Sequence, residues 1–351
     1  MKWLIYGANG YTGRLIARQA VHLGLAPVLA GRNPTAILPL AEELQLESRI
    51  FDLGFDSEAE HDLRGIDVVL NCAGPFIRTA APMMEACLEA GAHYFDITGE
   101  IAVFEAAQRL DERARAAGIV ICPGVGFDVV PTDCAALLLK ETLPDATELS
   151  LGFQAGNELS PGTAKTAVEG LGDGGWVRRR GEMLRVPFAY AVRRIDFGKG
   201  ERLAMSIPWG DVSSAFYTTG IPDITTYIPA APAAIRAAKV ANLMRPLLRS
   251  RLIKGALSRQ IEKKVKGPDQ TAMEKLRTYI WGEARNASGK TATVRFTTPS
   301  GYALTVDGAL SIVRSFLEGR KECGTWTPAR LMGKDFVFGL SGVTEARLQV
   351  N

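Results

Sequence analysis

The start of the chain constrains its fold more than any other stretch. Lys2 to Tyr6 is a short apolar run that reads as a buried strand, and Tyr11 to Leu23 carries apolar residues at helical spacing. Between them stand Gly7, Gly10 and Gly13, in the pattern G-x-x-G-x-x-G. A glycine permits the tight exit from the strand, a second lets a pyrophosphate approach the backbone, and a third lets the helix pack close to the sheet. The first turn of the helix then presents unpaired N–H groups and a partial positive charge to an anion. Gly7, Asn9, Gly10, Tyr11, Thr12 and Gly13 are the expected contacts. The alternative is a glycine-rich turn that holds nothing.

A second strand, APVLAGRN, ends at Gly31-Arg32, with Arg32 19 residues after Gly13. A site for NAD usually carries an acid near this point, to hold the ribose hydroxyls. Arg32 offers a planar cation instead, suited to a 2′-phosphate, so the expected cofactor is NADP. The pattern then repeats. SRIFDL (48–53), IDVVLNCAG (66–74), AHYFDITGE (92–100) and GIVICPGVG (118–126) read as strands, with helices over Thr79–Ala90 and Ile101–Ala117 between them. Strand and helix in alternation give a doubly wound parallel sheet of the Rossmann type, whose ligands lie beyond the carboxyl ends of the strands. Asp52 is expected at the adenine edge, and Asn71, Ala73, Gly74, Pro75 and Phe76 beside the ribose and pyrophosphate. The turns after the fifth and sixth strands, at 96–100 and 123–128, are expected near the nicotinamide.

Composition removes several other classes. The only histidines are His22, His61 and His93, and the five cysteines have no metal-ligand spacing, so no metal site is expected. No apolar run reaches the ~20 residues of a membrane-spanning helix. The glycine turn follows the first residues so closely that no signal peptide is expected, and the thiols suit a reducing, cytoplasmic setting.

GANGYTGRLIA, LAGRN, NCAGPF, YFDITGE and PGVGFDVVPTD, in this order, resemble the saccharopine dehydrogenase-like family. The resemblance is nearest to its branch of trans-acting enoyl reductase-like proteins. It is specific over residues 1–135 and looser beyond, where SIPWGDVSSAFYTTGIPDI (206–224) and GTWTPARLMG (324–333) also match that branch. It implies an NADP-binding Rossmann domain, a second α+β domain with a mixed sheet that carries the substrate cleft, a homodimer contact, and NADPH-linked reduction of an imine or an enoyl thioester. Short-chain dehydrogenases share such a glycine turn but need a Tyr with Lys four residues on. None of the eight tyrosines has one.

The expected division is 1–130 for the Rossmann domain and 131–324 for an α+β domain with a mixed or antiparallel sheet, the tail 325–351 packing back on the first domain. A helix over Val130–Glu141 leads out. TYIWGEARN, TATVRFTT and YALTVDGAL (278–310) read as an antiparallel meander, followed by a helix over 309–319. Lys165, in the glycine-rich segment 160–175, is either a cleft residue or a solvent-facing lysine. Residues 236–266 hold ten Lys or Arg and one Glu, against +3 for the whole chain. Such a stretch suits a peripheral membrane or an acyl carrier protein, or else two packed helices with solvated lysines. No nucleic-acid motif accompanies it.

With histidine scarce, the proton that accompanies hydride transfer must come from a carboxyl, a tyrosine or water. Glu100 and Asp128 are the candidates, with Tyr94 and Asp96 shaping the same wall. Each acid has a plainer role open to it, as a cap of the helix that follows. A second reading of the whole chain is an NADP-binding regulatory or scaffold protein without turnover.

Overall fold

The structure is a computed structural model that describes residues 1–54, 59–155, 174–245, 250, 255 and 275–351. Lys165 and most of the basic stretch 236–266 lie outside the described residues. The chain divides into two compact units, Met1–Asp128 with Leu304–Pro328, and Val129–Ala303 with Ala329–Asn351.

The first unit runs β1 (Trp3–Tyr6), α1 (Tyr11–His22), β2 (Val28–Gly31), α2 (Pro34–Leu44), β3 (Ser48–Ile50), α3 (Ala59–Asp62), β4 (Val68–Asn71), α4 (Phe76–Ala90), β5 (His93–Asp96), α5 (Ile101–Gln108), α6 (Asp111–Ala117) and β6 (Val120–Cys122). Its strands are parallel and ordered β3-β2-β1-β4-β5-β6, with Gly324–Thr325 added in parallel at the β6 edge. The strands are short, and β1, β2, β4 and β6 are buried along their whole length, as a sheet covered on both sides requires; the edge strand β3 is more open. One face packs Leu4, Val69, Tyr94 and Ile121 with Met83, Cys87, Val103 and Ala107 from α4 and α5. The expected helix Ile101–Ala117 is two helices, broken at Arg109–Leu110.

In this order the chain direction across the sheet reverses between β1 and β4. The crevice where a doubly wound sheet binds its ligand therefore opens between the glycine turn and the loop after β4.

The second unit continues with α7 (Val130–Thr142), β7 (Ala146–Gln154), β8 (Gly175–Arg179), β9 (Glu182–Val186), β10 (Val192–Asp196), β11 (Glu201–Ile207), α8 (Asp211–Thr219), β12 (Asp223–Pro229), α9 (Pro232–Ala241), β13 (Arg277–Asn286) and β14 (Thr291–Pro299). After β14 come α10 (Gly301–Leu317), β15 (Gly324–Thr325), α11 (Pro328–Met332) and β16 (Arg347–Val350). The sheet of this unit is mixed: β12 pairs β7 in parallel, and the other pairings are antiparallel. In α9 and just beyond it, Val240, Leu243 and Met244 are exposed.

Two expectations are corrected. YALTVDGAL is not a third strand of the meander but the start of α10. The Ser300 hydroxyl accepts from the Ala303 N–H at 3.3 Å, a helix cap at the point where the sequence suggests a hairpin turn. Leu304, Ala309, Ile312, Val313 and Phe316 are then buried at helical spacing. The tail also divides. Thr325 joins the first sheet, whereas the end of the chain pairs with β14, whose free edge offers it a backbone ladder.

Candidate functional site

The glycine turn takes the form its sequence implies. Gly7 has φ +76°, and a side chain there would come within 2.8 Å of Ala73, in the loop after β4. A Cβ on Gly13 would overlap the Gly7 carbonyl oxygen and lie 2.9 Å from Ala8 Cα. The turn is pinned by Gly7 N–H to Ala30 O at 2.8 Å and Gly10 N–H to Gly7 O at 3.0 Å. Helix α1 begins at Gly10 with no side-chain cap and no acid in its first turn. Helix α2, by contrast, is capped by the Asn33 side chain on Thr35 N–H.

Arg32 follows β2 and is exposed. Burial pushes the Tyr6 hydroxyl up to about 12, helped by the Asp52 charge and opposed by the Arg32 cation. Asp52 is exposed and accepts from Gly54 N–H. Arg32, Asp52 and Tyr6 thus gather at the ends of β1, β2 and β3.

The other strand ends carry a buried polar network. Asn71 accepts from Ala73 N–H at 3.0 Å, and Thr79 donates to Ala73 O at 2.6 Å, which fixes the loop that leads through Gly74 and Pro75 to Phe76. Tyr94 and Asp96 share one face of β5, and the Tyr94 hydroxyl donates to Asp96 Oδ2 at 2.6 Å. Asp96 Oδ1 accepts from Thr98 N–H and Gly124 N–H, each at 2.9 Å. Burial raises Asp96 to about 6 although these three donors favour its charge. Tyr94 is fully buried and pushed well above its ordinary value, chiefly by burial.

Glu100 stands at the N-cap position of α5, where its side chain makes no cap bond. It reaches instead to α4: Oε1 accepts from Phe76 N–H at 2.9 Å and Oε2 from Ile77 N–H at 2.7 Å. Asp128 is partly buried, and its carboxyl lies so close to the chain at Gly99 that a Cβ there would be 3.1 Å from Oδ2. Burial, then the Glu100 charge, push Asp128 up to about 7. Gly99 belongs to the turn 96–100 expected near the nicotinamide, whereas nothing in the sequence marks Thr305. Thr305, on α10, accepts from Phe127 N–H at 2.9 Å and so holds the chain one residue before Asp128.

Residues 3–122 match the saccharopine dehydrogenase NADP-binding domain family. The match runs from β1 to the end of β6. The curated relatives it matches include a human saccharopine dehydrogenase-like oxidoreductase, 30% identical over 196 residues, which are 48% of this chain and 46% of that protein. A putative trans-acting enoyl reductase of Mycobacterium tuberculosis is 29% identical over 184 residues, 48% of this chain and 43% of that protein. The matched part thus spans less than half the length of these relatives. Among solved structures, saccharopine dehydrogenase (L-Glu forming) of Saccharomyces cerevisiae superposes with a TM-score of 0.65 over 99% of both chains at 12% identity, a likeness of fold.

The residues present fit NADP. Glycines at 7, 10 and 13 let a pyrophosphate approach the backbone of the turn, α1 starts after Gly10, which has no side chain to cap it, and a guanidinium stands at the end of β2. Among the described residues no helix is long and apolar enough to cross a membrane.

Proposed function

We propose that this protein is an NADPH-dependent oxidoreductase that reduces an imine carbon or the β-carbon of an enoyl thioester, with Asp128 as the proton donor. Gly7, Asn9, Gly10, Tyr11, Thr12 and Gly13 wrap the pyrophosphate. Arg32 takes the 2′-phosphate and Asp52 the adenine edge. Asn71, Ala73, Gly74, Pro75 and Phe76 run beside the ribose and pyrophosphate of the nicotinamide half, and the turns at 96–100 and 123–128 approach the nicotinamide itself. NADPH supplies a hydride, and the substrate needs one proton in balance, on the imine nitrogen or on the carbon α to the thioester.

The observation that carries this reading is the geometry at the strand ends: the glycine turn with Arg32 at the end of β2, and the Asp128 carboxyl packed against Gly99 in the loop after β5. A carboxyl pushed to about 7 holds its proton near neutrality and can still release it, the condition for a general acid. Glu100 suits that role less well, because both its oxygens already accept from backbone N–H groups. Tyr94 is enclosed and spends its proton on Asp96.

The test is NADPH oxidation with a panel of imines and enoyl thioesters. Asp128→Asn should lower kcat by roughly 10²- to 10⁴-fold, the usual worth of a positioned acid, and leave NADPH affinity within about twofold. Full turnover by Asp128→Asn would exclude it as the donor.

A further inference from the structure

Glu100 bridges two loops that the sequence keeps apart. It belongs to the turn after β5, yet its carboxylate holds the first two N–H groups of α4, 23 and 24 residues earlier. Those N–H groups are among the four at a helix start that the helix itself cannot satisfy. Pro75, the residue before them, provides no side-chain cap. The loop Cys72–Pro75 leads directly into this helix start, and its Ala73 is the residue that crowds Gly7. Opening the start of α4 therefore loosens the wall that faces the glycine turn across the β1/β4 crevice. Arg32 follows β2, which β1 separates from β4, so its place should not be disturbed.

We infer that Glu100 is a positioning residue, a latch that sets the loop 71–77 for the nicotinamide half of NADP without touching the reacting atoms. The inference rests on the nucleotide placement proposed above. Its physical form is a population effect. If the latched loop is the binding-competent one, the apparent affinity falls in proportion to the fraction of molecules that have it.

Calorimetric titration separates the two halves of the ligand. NADPH reaches both the glycine turn and the latched loop, whereas 2′,5′-ADP carries the adenosine, its 2′-phosphate and the one 5′-phosphate that meets the glycine turn, and lacks the second phosphate and the nicotinamide riboside that run beside the latched loop. Glu100→Ala should weaken NADPH by about 5- to 30-fold, the scale of a lost helix cap. It should leave 2′,5′-ADP within about twofold. Glu100→Gln keeps one acceptor for Phe76 N–H and turns an NH₂ toward Ile77 N–H, so its NADPH affinity should fall between those of wild type and Glu100→Ala. Unchanged NADPH affinity in Glu100→Ala would overturn the latch. So would a parallel loss of both ligands, which would make Glu100 a support of the whole unit. Failure of wild type to bind 2′,5′-ADP would instead remove the nucleotide placement, and the latch with it.

Discussion

Replacing Asp128 by Asn should make the protein more stable, and increasingly so as pH rises. Its carboxyl moves from an ordinary 3.8 to about 7 on folding, first through burial and then through the Glu100 charge. Between those values the folded chain keeps a proton that the unfolded chain has lost. The stability tied to this proton is complete below pH 4, declines as pH rises, and is gone above about 7. A pK unit corresponds to 1.36 kcal/mol, so the shift sets a ceiling of about 4 kcal/mol. Asp128 is partly exposed, and water screens some of this, so about 1–2 kcal/mol is expected. Asparagine has nearly the same shape and does not titrate. The other raised carboxyl, Asp96, is common to both proteins and cancels in the difference. Urea unfolding at pH 4.5, 6, 7 and 8 should show the Asn variant gaining on wild type by about 1–2 kcal/mol across that range, with the slope m unchanged. A difference that is flat with pH, or that favours wild type at pH 8, would refute the assignment of a raised Asp128. Stability gained where turnover is lost is the expected mark of a strained functional group.

Two further outcomes follow from the glycine turn and its neighbour. Arg32→Ala should weaken NADPH by about 1.5–3 kcal/mol, the worth of a charge-assisted hydrogen bond, while NADH affinity stays the same in paired titrations; equal losses would exclude a 2′-phosphate contact. Gly13→Ala places a methyl group against the Gly7 carbonyl and Ala8 backbone, neither of which is a flexible side-chain end. It should abolish detectable NADPH binding and lower stability by roughly 1–3 kcal/mol, read by calorimetry and by urea unfolding.

The Rossmann unit was legible because its signals are local. β1, β2, β4 and β6 are short apolar runs closed by Gly, Asn or Pro, and the glycine spacing identifies the first turn. Alternation along HYFD already puts Tyr94 and Asp96 on one face, which is where the structure joins them. The partner of Glu100 was not legible. A local reading offers it the helix that follows, while the N–H groups it caps precede it by more than twenty residues and meet it only because β4 and β5 are neighbours. The start of α10 misled for a related reason. YALTV alternates like a strand, and only the cap by Ser300 decides for helix. Thr305 left no local signal and Gly99 showed only as part of the turn 96–100, since each matters through a contact with a distant loop.

The most direct test of the account is a calorimetric titration of the wild-type protein with NADPH and, separately, NADH. A single NADPH site preferred over NADH by at least about tenfold is predicted, the ratio one charge-assisted contact to a 2′-phosphate provides. No heat with NADPH, or equal affinity for the two nucleotides, would contradict it.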